Sequence, residues 1–282
     1  MTEAPPLAAL IGEGAARLRE RGVVEPRREA VRIWADLAGL PTYALPAAAL
    51  APDAAAVRRF RHAIERRAAG EPLAYVTGVA GFRRLTLRSD PRALIPRPET
   101  EGLVELVLAQ APTGAVADVG TGTGCIALAL ADEGRYRLVL GIDRSREALG
   151  LAAENRARTG LPVVFAAGDL LEPVGPATLD AIVSNPPYLT EAEFRDLDPS
   201  VRAHEPRAAL ASGEDGLADT RRLLGQAGRV LRPGGLVALE IDATRAAASL
   251  ALAVAADLAM ATVRDDLFGR ARYLLARRSE HT

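Results

Sequence analysis

The sequence predicts an α/β fold with a doubly wound, mostly parallel sheet, preceded by a small all-α domain. Three observations support this prediction. In the first 80 residues, apolar residues recur only at the spacing of a helix. From Val116 onward, short apolar runs alternate with helical segments, which is typical of parallel strands covered by helices. The last two predicted strands, near 261–264 and 272–276, have no helix between them and should form an antiparallel C-terminal hairpin.

The helical domain is expected to span residues 1–80. Helices are predicted to begin near Pro26 and after Pro52-Asp53, and Gly22, Gly39 and Gly70 separate the helical segments. The residues predicted to face inward are Leu7, Leu10, Ile11 and Leu18, then Ile33, Trp34 and Leu37, then Val57, Phe60 and Ile64.

Residues 81–98 are predicted to form a hairpin connector. Phe82 to Arg88 alternates polar and apolar residues with a period of two, and Ser89-Asp90-Pro91 follows as a turn. The next segment, residues 95–100, is stiffened by its prolines.

The α/β domain is expected to span residues 99–282. Its predicted strands cover 116–119, 138–142, 163–166, 179–183, 236–241, 261–264 and 272–276. Its predicted helices cover 99–108, 125–131, 147–158, 217–230 and 244–256. Pro233-Gly234-Gly235 is expected to end the fourth helix and to lie outside the strand that follows.

Composition excludes several classes of protein. The net charge is −1 over 282 residues, which gives no polycationic surface for nucleic acid. The single cysteine excludes an internal disulfide and a cysteine-based zinc cluster, and the histidines form no cluster, so no metal is expected. No apolar run reaches the ~18 residues of a membrane span. Without a recognisable signal peptide, a cytoplasmic location is expected.

A glycine-rich turn follows the first strand of the α/β domain. Asp118 precedes Gly120, Thr121, Gly122, Thr123 and Gly124, and the next strand ends in Asp143. The turn lacks the Gly-Lys-Ser/Thr of a P-loop, but it fits a dinucleotide fingerprint. The turn and Asp143 together therefore indicate a ligand that contains adenosine, without deciding which one.

The third strand favours S-adenosylmethionine. It ends in Gly168-Asp169-Leu170, where the Asp169 carboxylate could accept a hydrogen bond from an adenine amino group. The methionine amino group would then lie near Asp118. The alternative is that Asp143 and Asp169 only cap the helices that follow them.

The fourth strand ends in Asn185-Pro186-Pro187-Tyr188. Each proline lacks an N–H and has a fixed φ, so the strand must end in a stiff loop. The Asn185 side-chain oxygen and the Pro186 carbonyl could accept both hydrogen bonds of a planar NH2 group, and Tyr188 could stack on that group. These residues are therefore the predicted catalytic and substrate-binding loop for methyl transfer to a poorly nucleophilic nitrogen. The alternative is a proline-rich strand exit with a packed tyrosine.

At these residues the chain resembles the PrmC/HemK family of class I methyltransferases, which have a Rossmann-like seven-stranded sheet. The resemblance runs over nearly the whole chain. It rests on the segments 70–78, Leu94-Ile-Pro-Arg-Pro-Glu-Thr-Glu101, 118–124, 143–145, Ile182-Val-Ser-Asn-Pro-Pro-Tyr188, 205–206, 209–210 and 213–217. Asn-Pro-Pro-Tyr alone is less specific, because adenine-N6 methyltransferases also use it.

The resemblance implies methylation of the glutamine side-chain nitrogen (N5) in the Gly-Gly-Gln motif of class 1 peptide chain release factors, with S-adenosylhomocysteine as product. It implies that residues 120–124, Asp143, Leu170 and Asn185 contact the methyl donor, and that residues 185–188 hold the glutamine. It also implies that Arg97 and Glu99 line a cleft, and that the helical domain docks the release factor. The chain departs from the family pattern at Arg83, at Leu170, where an aromatic is common, and at Asp242, where glycine is usual.

Two other functions stay open at this point. One is adenine-N6 methylation of DNA or RNA, against which the near-neutral charge counts. The other is a nicotinamide-dependent oxidoreductase or a non-catalytic nucleotide-binding regulator, which would leave Asn-Pro-Pro-Tyr unexplained. For the favoured function we expect a monomer that needs neither nucleic acid nor membrane.

Overall fold

The computed structural model describes residues 5–40 and 52–280. These residues cluster into two compact units. The first, the helical unit, contains the described residues up to Val79 together with Asp198–His204. The second, the sheet unit, contains Ala80–Leu197 and the described residues from Glu205 onward.

The helical unit is built from amphipathic helices that share one core. The helices are α1 (Leu7–Glu20), α2 (Pro26–Ala38), α3 (Ala54–Ala68) and α4 (Leu73–Thr77), and the short helix Pro199–His204 clusters with them. Pro26 occupies the first helical turn of α2, where its missing N–H costs nothing, and the Asp53 carboxylate caps α3 by accepting from the Ala56 N–H (2.6 Å).

Aromatic packing organises the core of the helical unit. The rings of Trp34 and Phe60 meet edge to face with 5.7 Å between their centroids. Gly14 allows α1 to pack closely against Phe60 of α3, because a Cβ at position 14 would lie only 2.8 Å from Phe60 Cζ. Of the residues predicted to face inward, Leu7 and Leu37 are only partly buried.

The sheet unit begins with a two-stranded hairpin, β1 (Val79–Phe82) and β2 (Leu85–Arg88). The strands of its main sheet are β3 (Thr113–Val119), β4 (Arg135–Asp143), β5 (Val163–Ala167), β6 (Leu179–Ser184), β7 (Leu231–Glu240), β8 (Leu258–Asp265) and β9 (Ala271–Arg278). Its helices are α5 (Pro98–Gln110), α6 (Cys125–Glu133), α7 (Arg146–Thr159), α8 (Glu191–Asp196), α10 (Ala218–Val230) and α11 (Ala246–Ala255), with α9 (Pro199–His204) belonging to the helical unit.

The predicted sheet is confirmed. Within residues 80–280, seven strands form one sheet in the order β5-β4-β3-β6-β7-β9-β8. The pairings from β5 to β7 are parallel, and β9 pairs antiparallel with both β7 and β8. The chain moves outward from β3 to β4 on one side and to β6 on the other, so β3 lies at the topological switch point, where ligands bind in such sheets.

Two boundary predictions are wrong. The connector hairpin turns between Phe82 and Leu85 rather than at Ser89-Asp90-Pro91, and the predicted start of β7 is too late. Pro233-Gly234-Gly235 does not lie outside the strand, because β7 already begins at Leu231. Leu231 pairs with Leu179, whereas Leu236 pairs with Ala181, so the pairing shifts register between them. This irregularity accommodates the missing N–H of the proline and the positive φ of Gly234 (74°) inside the strand.

Apolar side chains bury both faces of the sheet. One cluster joins the strands to residues of α10 and α11, and another joins them to α5 and α6. Among the described residues, no helix combines the length and the apolar character that crossing a membrane requires.

Candidate functional site

A cavity of ≈ 230 Å³ opens at the carboxyl edge of the sheet unit. Most of the predicted site residues line it: Arg97, Gly120, Thr121, Gly122, Thr123, Asp143, Asp169, Leu170, Asn185, Pro186 and Pro187. The predicted residues Glu99, Asp118, Gly124 and Tyr188 are not part of its wall.

The glycine turn leaves open space toward the cavity. The φ angles of Gly120 and Gly122 are 72° and 55°, a region that favours glycine. A Cβ at Gly120 would meet no atom within 4 Å, and a Cβ at Gly122 would meet only Ala93 Cβ and the Gly120 carbonyl, at 3.7 Å or more. The turn is anchored from below, since the Gly120 and Thr121 N–H groups donate to the Ile142 carbonyl (2.8 and 2.9 Å). The backbone is therefore bare on the side that faces the cavity.

Asp118 lies buried beneath this turn. Its Oδ2 accepts from the Thr121 hydroxyl (2.6 Å) and from the Ala127 N–H (3.1 Å). Its Oδ1 is buried and has no hydrogen-bond partner among the described residues. Burial raises the pKa of Asp118 to about 7, partly offset by these two hydrogen bonds. A cationic group arriving at the turn would favour the ionised carboxylate.

Asp143 presents a carboxylate that is already oriented. Its Oδ2 accepts from the Gly122 N–H (2.9 Å) and its Oδ1 from the Ser145 N–H (2.8 Å). An ionised carboxylate has about four acceptor positions, so roughly two remain for ligand hydroxyls. This arrangement suits a ribose diol.

The segment after β5 carries Asp169 and Leu170, the residues predicted to contact the adenine part of the methyl donor. Asp169 forms an ion pair with Arg222 (2.5 Å) at a partly exposed position. Leu170 lines the cavity with a φ of 53°, which is unusual for a residue with a side chain. Leu170 therefore gives the cavity an aliphatic wall at this point, whereas the PrmC/HemK family often has an aromatic residue at this position.

The loop after β6 is held on both sides. The Ser184 hydroxyl donates to the Val119 carbonyl (2.6 Å), which ties the end of β6 to the end of β3. Beyond the prolines, the Tyr188 and Leu189 N–H groups both donate to the Leu210 carbonyl (3.2 and 2.9 Å). The two prolines therefore lie in a short, anchored segment of the cavity wall.

Within this loop, the Asn185 side chain is oriented by two buried neighbours. Its Nδ2 donates to Thr100 Oγ1 (3.1 Å), and the Thr100 hydroxyl donates to Glu240 Oε2 (2.7 Å). Among the described residues, none donates to Asn185 Oδ1 or to the Pro186 carbonyl. Both oxygens are therefore available as acceptors for a ligand.

The sequence reasoning missed the roles of Thr100, Glu205 and Glu240. Thr100 and Glu205 lie in segments that carry the family resemblance, and Glu240 ends a predicted strand, but no local pattern reveals their partners. Glu205 accepts from Arg97 Nη2 (2.6 Å) and from the Ile95 N–H (3.3 Å), and so fixes the proline-rich wall of the cavity. The Glu99 carbonyl accepts from the Tyr273 hydroxyl (2.7 Å), which positions the start of α5.

Titratable groups near the site have shifted pKa values. Burial raises the pKa of Glu240 to about 6 and that of Tyr188 to about 12. Burial also raises the pKa of the Cys125 thiol to about 12, so this cavity-wall cysteine is a thiol rather than a nucleophilic thiolate. Among the described residues, no cluster of metal-ligating side chains is present.

These features fit S-adenosylmethionine. The bare glycine turn can receive the methionine part of the ligand, the unpartnered buried oxygen of Asp118 favours a nearby ammonium group, and Asp143 has acceptors left for ribose. The fold is shared with a solved structure. A methyltransferase from Pyrococcus furiosus has a TM-score of 0.52 and 19% identity to this chain, covering 68% of this chain and 88% of the other. Residues 99–198 also match the family model of the methyltransferase small domain, and the protein is a class I methyltransferase that uses S-adenosylmethionine.

Sequence comparisons define the family. Residues 9–78 match the model of the PrmC N-terminal domain. The release factor glutamine methyltransferase of Deinococcus radiodurans is 43% identical over 280 residues, 97% of this chain and 99% of the other. That of Moorella thermoacetica is 44% identical over 284 residues, with the same shares. The chain belongs to the release factor glutamine methyltransferase family.

Proposed function

We propose that this protein methylates the side-chain amide nitrogen (N5) of the glutamine in the Gly-Gly-Gln motif of class 1 peptide chain release factors. One observation carries this proposal. Asn185 Oδ1 and the Pro186 carbonyl are two acceptors to which no described residue donates, on an anchored loop that lines the methyl-donor cavity. Two acceptors match the two N–H bonds of a primary carboxamide.

The chemistry explains why acceptors are needed rather than a base. The lone pair of an amide nitrogen is delocalised, and no side chain with an ordinary pKa removes its proton beforehand. S-adenosylmethionine, when bound, supplies a methyl group on a cationic sulfur, so the carbon is already activated toward nitrogen and S-adenosylhomocysteine is the product. The Asn185 and Pro186 oxygens interact more strongly with the nitrogen as it becomes positive, which is preferential binding of the transition state. The surplus proton then leaves to water.

Position accounts for much of the expected acceleration. Aligning the nitrogen with an activated carbon contributes up to ~7–11 kcal/mol in well-oriented reactions. The prolines restrict the loop, and we propose that the Tyr188 ring stacks on the flat carboxamide. Arg97 and Glu99 are the residues that we propose to meet the substrate backbone next to the glutamine.

The helical unit is proposed to bind the release factor away from the methylated loop. The match of residues 9–78 to the PrmC N-terminal domain supports this role. We further propose that the enzyme acts as a monomer in the cytoplasm without nucleic acid, since its substrate would be a protein of translation.

The test uses S-adenosylmethionine labelled in its methyl group. The protein is incubated with a purified class 1 release factor, with the same factor carrying glutamate in place of the glutamine, and with DNA and RNA, and the labelled atom is mapped by mass spectrometry. We expect label only on the glutamine of the unchanged factor. Label on adenine, or on the glutamate variant, would overturn the proposal.

A competition experiment tests the docking role. A release factor with alanine in place of the glutamine should inhibit methylation competitively, because it still binds the helical unit. A short Gly-Gly-Ala peptide at the same concentration should not. Equal inhibition by both would contradict a second binding region.

A further inference from the structure

We propose that Thr100 and Glu240 are positioning residues that set the orientation of the Asn185 carboxamide, so that its oxygen rather than its NH2 group faces the substrate. The three side chains form a chain from Glu240 Oε2 through Thr100 Oγ1 (2.7 Å) to Asn185 Nδ2 (3.1 Å). The inference rests on the proposed function, because it assigns the machinery behind the acceptor that the function requires.

Hydrogen-bond chemistry gives this chain a direction. An ionised carboxylate only accepts, and a threonine hydroxyl has one proton to donate. With its proton donated to Glu240, the Thr100 oxygen can offer only lone pairs to Asn185. The partner that satisfies those lone pairs is the NH2 group, so the Asn185 oxygen must point the other way. An isolated asparagine has no such preference, because its oxygen and nitrogen are almost the same size.

Three elements of the sheet unit converge to make the chain rigid. Thr100 lies in the first turn of α5, where Pro98 begins the helix and the Thr100 N–H donates to the Arg97 carbonyl (3.1 Å). Glu240 is the last residue of β7, next to β6, in which Ser184 pairs with Leu239. Asn185 and Glu240 are therefore the next residues on adjacent parallel strands.

Two members of this hydrogen-bond chain are deeply buried, which makes its hydrogen bonds costly to lose. The relative exposure of Thr100 is 3% and that of Glu240 is 2%. At such burial an unpaired polar group is costly, so the donor and acceptor pattern is held firmly. A reversed carboxamide would place the Asn185 oxygen against the Thr100 oxygen and leave both without a proton between them.

Protonation of Glu240 would weaken the chain. A neutral carboxyl can itself donate to the Thr100 oxygen, which leaves the threonine proton free to donate to the Asn185 oxygen in the opposite carboxamide orientation. Several charged or titratable groups surround Glu240. They are Glu99 on α5, Arg97 before α5, Tyr188 after β6, Asp242 after β7, and Arg272 and Tyr273 on β9. Burial is the main cause that raises the pKa of Glu240 to about 6. Activity should therefore fall as the pH decreases through about 6.

The composition of this chain allows a direct test by NMR. Asn155 and Asn185 are its only asparagines, so asparagine-selective ¹⁵N labelling gives two pairs of side-chain NH2 signals. Asn155 is an internal control, because its NH2 group donates to the Arg88 and Thr123 carbonyls instead (3.0 Å each). We expect the Thr100→Val variant to move the Asn185 signals and to accelerate their exchange with water, with the Asn155 signals unchanged. Thr100→Ser should restore the wild-type signals.

Kinetics on the full chain complete the test. Thr100→Val should lower kcat roughly ten- to a hundredfold, no more than the ~10²- to 10³-fold that loss of a whole transition-state contact costs. The Kd of S-adenosylhomocysteine should change less than about threefold. Thr100→Ser should recover kcat to within threefold. In Glu240→Gln the loss of activity near pH 6 should disappear, together with the titration of the Asn185 NH2 signals in that range.

The outcomes separate this inference from the proposed function. If the Asn185 signals of Thr100→Val match those of the wild type, the positioning role is wrong, whatever the enzyme methylates. If the signals change as expected but the wild type does not methylate a release factor, the proposed function is wrong and the hydrogen-bond chain stands. A pH profile that Glu240→Gln leaves unaltered would remove Glu240 from the inference.

Discussion

Replacing Asp143 with asparagine should weaken cofactor binding without unfolding the sheet unit. The carboxylate already accepts from the Gly122 and Ser145 N–H groups (2.9 and 2.8 Å), and its remaining acceptor positions suit two ribose hydroxyls. An asparagine has one oxygen with two lone pairs, so after one backbone hydrogen bond only one remains for ribose. Its NH2 group would also face the second backbone donor.

The magnitude follows from the lost hydrogen bond. A hydrogen bond to a charged group contributes about 1.5–3 kcal/mol. Because about 1.4 kcal/mol corresponds to a factor of ten, the Kd should rise roughly ten- to a hundredfold. Isothermal titration with S-adenosylhomocysteine measures this directly and avoids turnover. Urea unfolding followed by circular dichroism checks that the variant keeps its fold.

Asp169→Asn is the matched control. Its carboxylate is paired with Arg222, and an asparagine oxygen could still accept from an adenine amino group, so the Kd should change less than about fivefold. The assignment of Asp143 to the ribose would be refuted by a Kd for Asp143→Asn within threefold of the wild type in a folded variant. A larger effect at Asp169 than at Asp143 would refute it as well.

Three further predictions concern the reacting loop and the buried acid. Asn185→Ala should lower the rate of methyl transfer at least ~10²-fold, while the Kd of S-adenosylhomocysteine changes less than about tenfold. Single-turnover assays measure the rate and calorimetry measures the Kd. Equal losses in both would point to a scaffolding role. Tyr188→Phe should keep the rate within about threefold of the wild type, and Tyr188→Ala should lower it at least ~tenfold, because the ring rather than the hydroxyl stacks on the carboxamide. The reverse order of effects in steady-state assays would contradict stacking. Asp118 has a folded-state pKa of about 7 against an ordinary value of 3.8, so the cofactor-free protein should lose stability as the pH rises from about 4 to 7. Asp118→Asn should flatten that part of the pH profile in urea unfolding, and an unchanged profile would show that the carboxylate is not the group responsible.

Much of the fold could be predicted because each strand and helix has a local signal. The change from helical spacing to alternating strands and helices at Val116 indicated the sheet, and the missing helix between the last two strands indicated the antiparallel edge formed by β8 and β9. The placement of Asp143 and Asn185 at one edge followed from parallel strands, whose carboxyl ends meet on the same side.

Where local signals conflict with tertiary pairing, the prediction failed. Pro233-Gly234-Gly235 has the residues of a turn, yet β7 runs through it, because the register shift between Leu179 and Ala181 absorbs the extra residues. In the same region the Gly234 carbonyl accepts from Arg277 Nη1 (2.9 Å) on β9. The partner strands compensate for what the local sequence disfavours.

The contacts behind Asn185 could not be predicted for a different reason. Thr100 lies 85 residues before Asn185 and 140 residues before Glu240. No periodicity links positions that far apart. Thr100 has an ordinary local explanation at the start of a helix, and Glu240 has one at the end of a strand. Only the assembled sheet brings them together.

The departure from the family pattern at Asp242 has a local structural explanation. Its φ of −74° does not require glycine, and its Oδ1 accepts from the Thr244 N–H (2.9 Å) at the start of the short helix Ala243–Arg245. Arg245 donates to Asp242, to Glu193 Oε2 (2.6 Å) and to the Asp215 carbonyl (2.8 Å). Charged contacts thus hold the loop after β7.

The arrangement also determines where pH dependence can arise. Neither acceptor that we assign to the substrate titrates, since one is a carboxamide oxygen and the other a backbone carbonyl. A carboxylate in direct contact with the amide nitrogen would bind the developing charge more tightly, but it would also attract cations and water into the cavity. Placing the charge at Glu240, behind Thr100, keeps the contact surface neutral while the carboxamide of Asn185 stays oriented. The reaction therefore depends on a titratable group that the substrate does not touch.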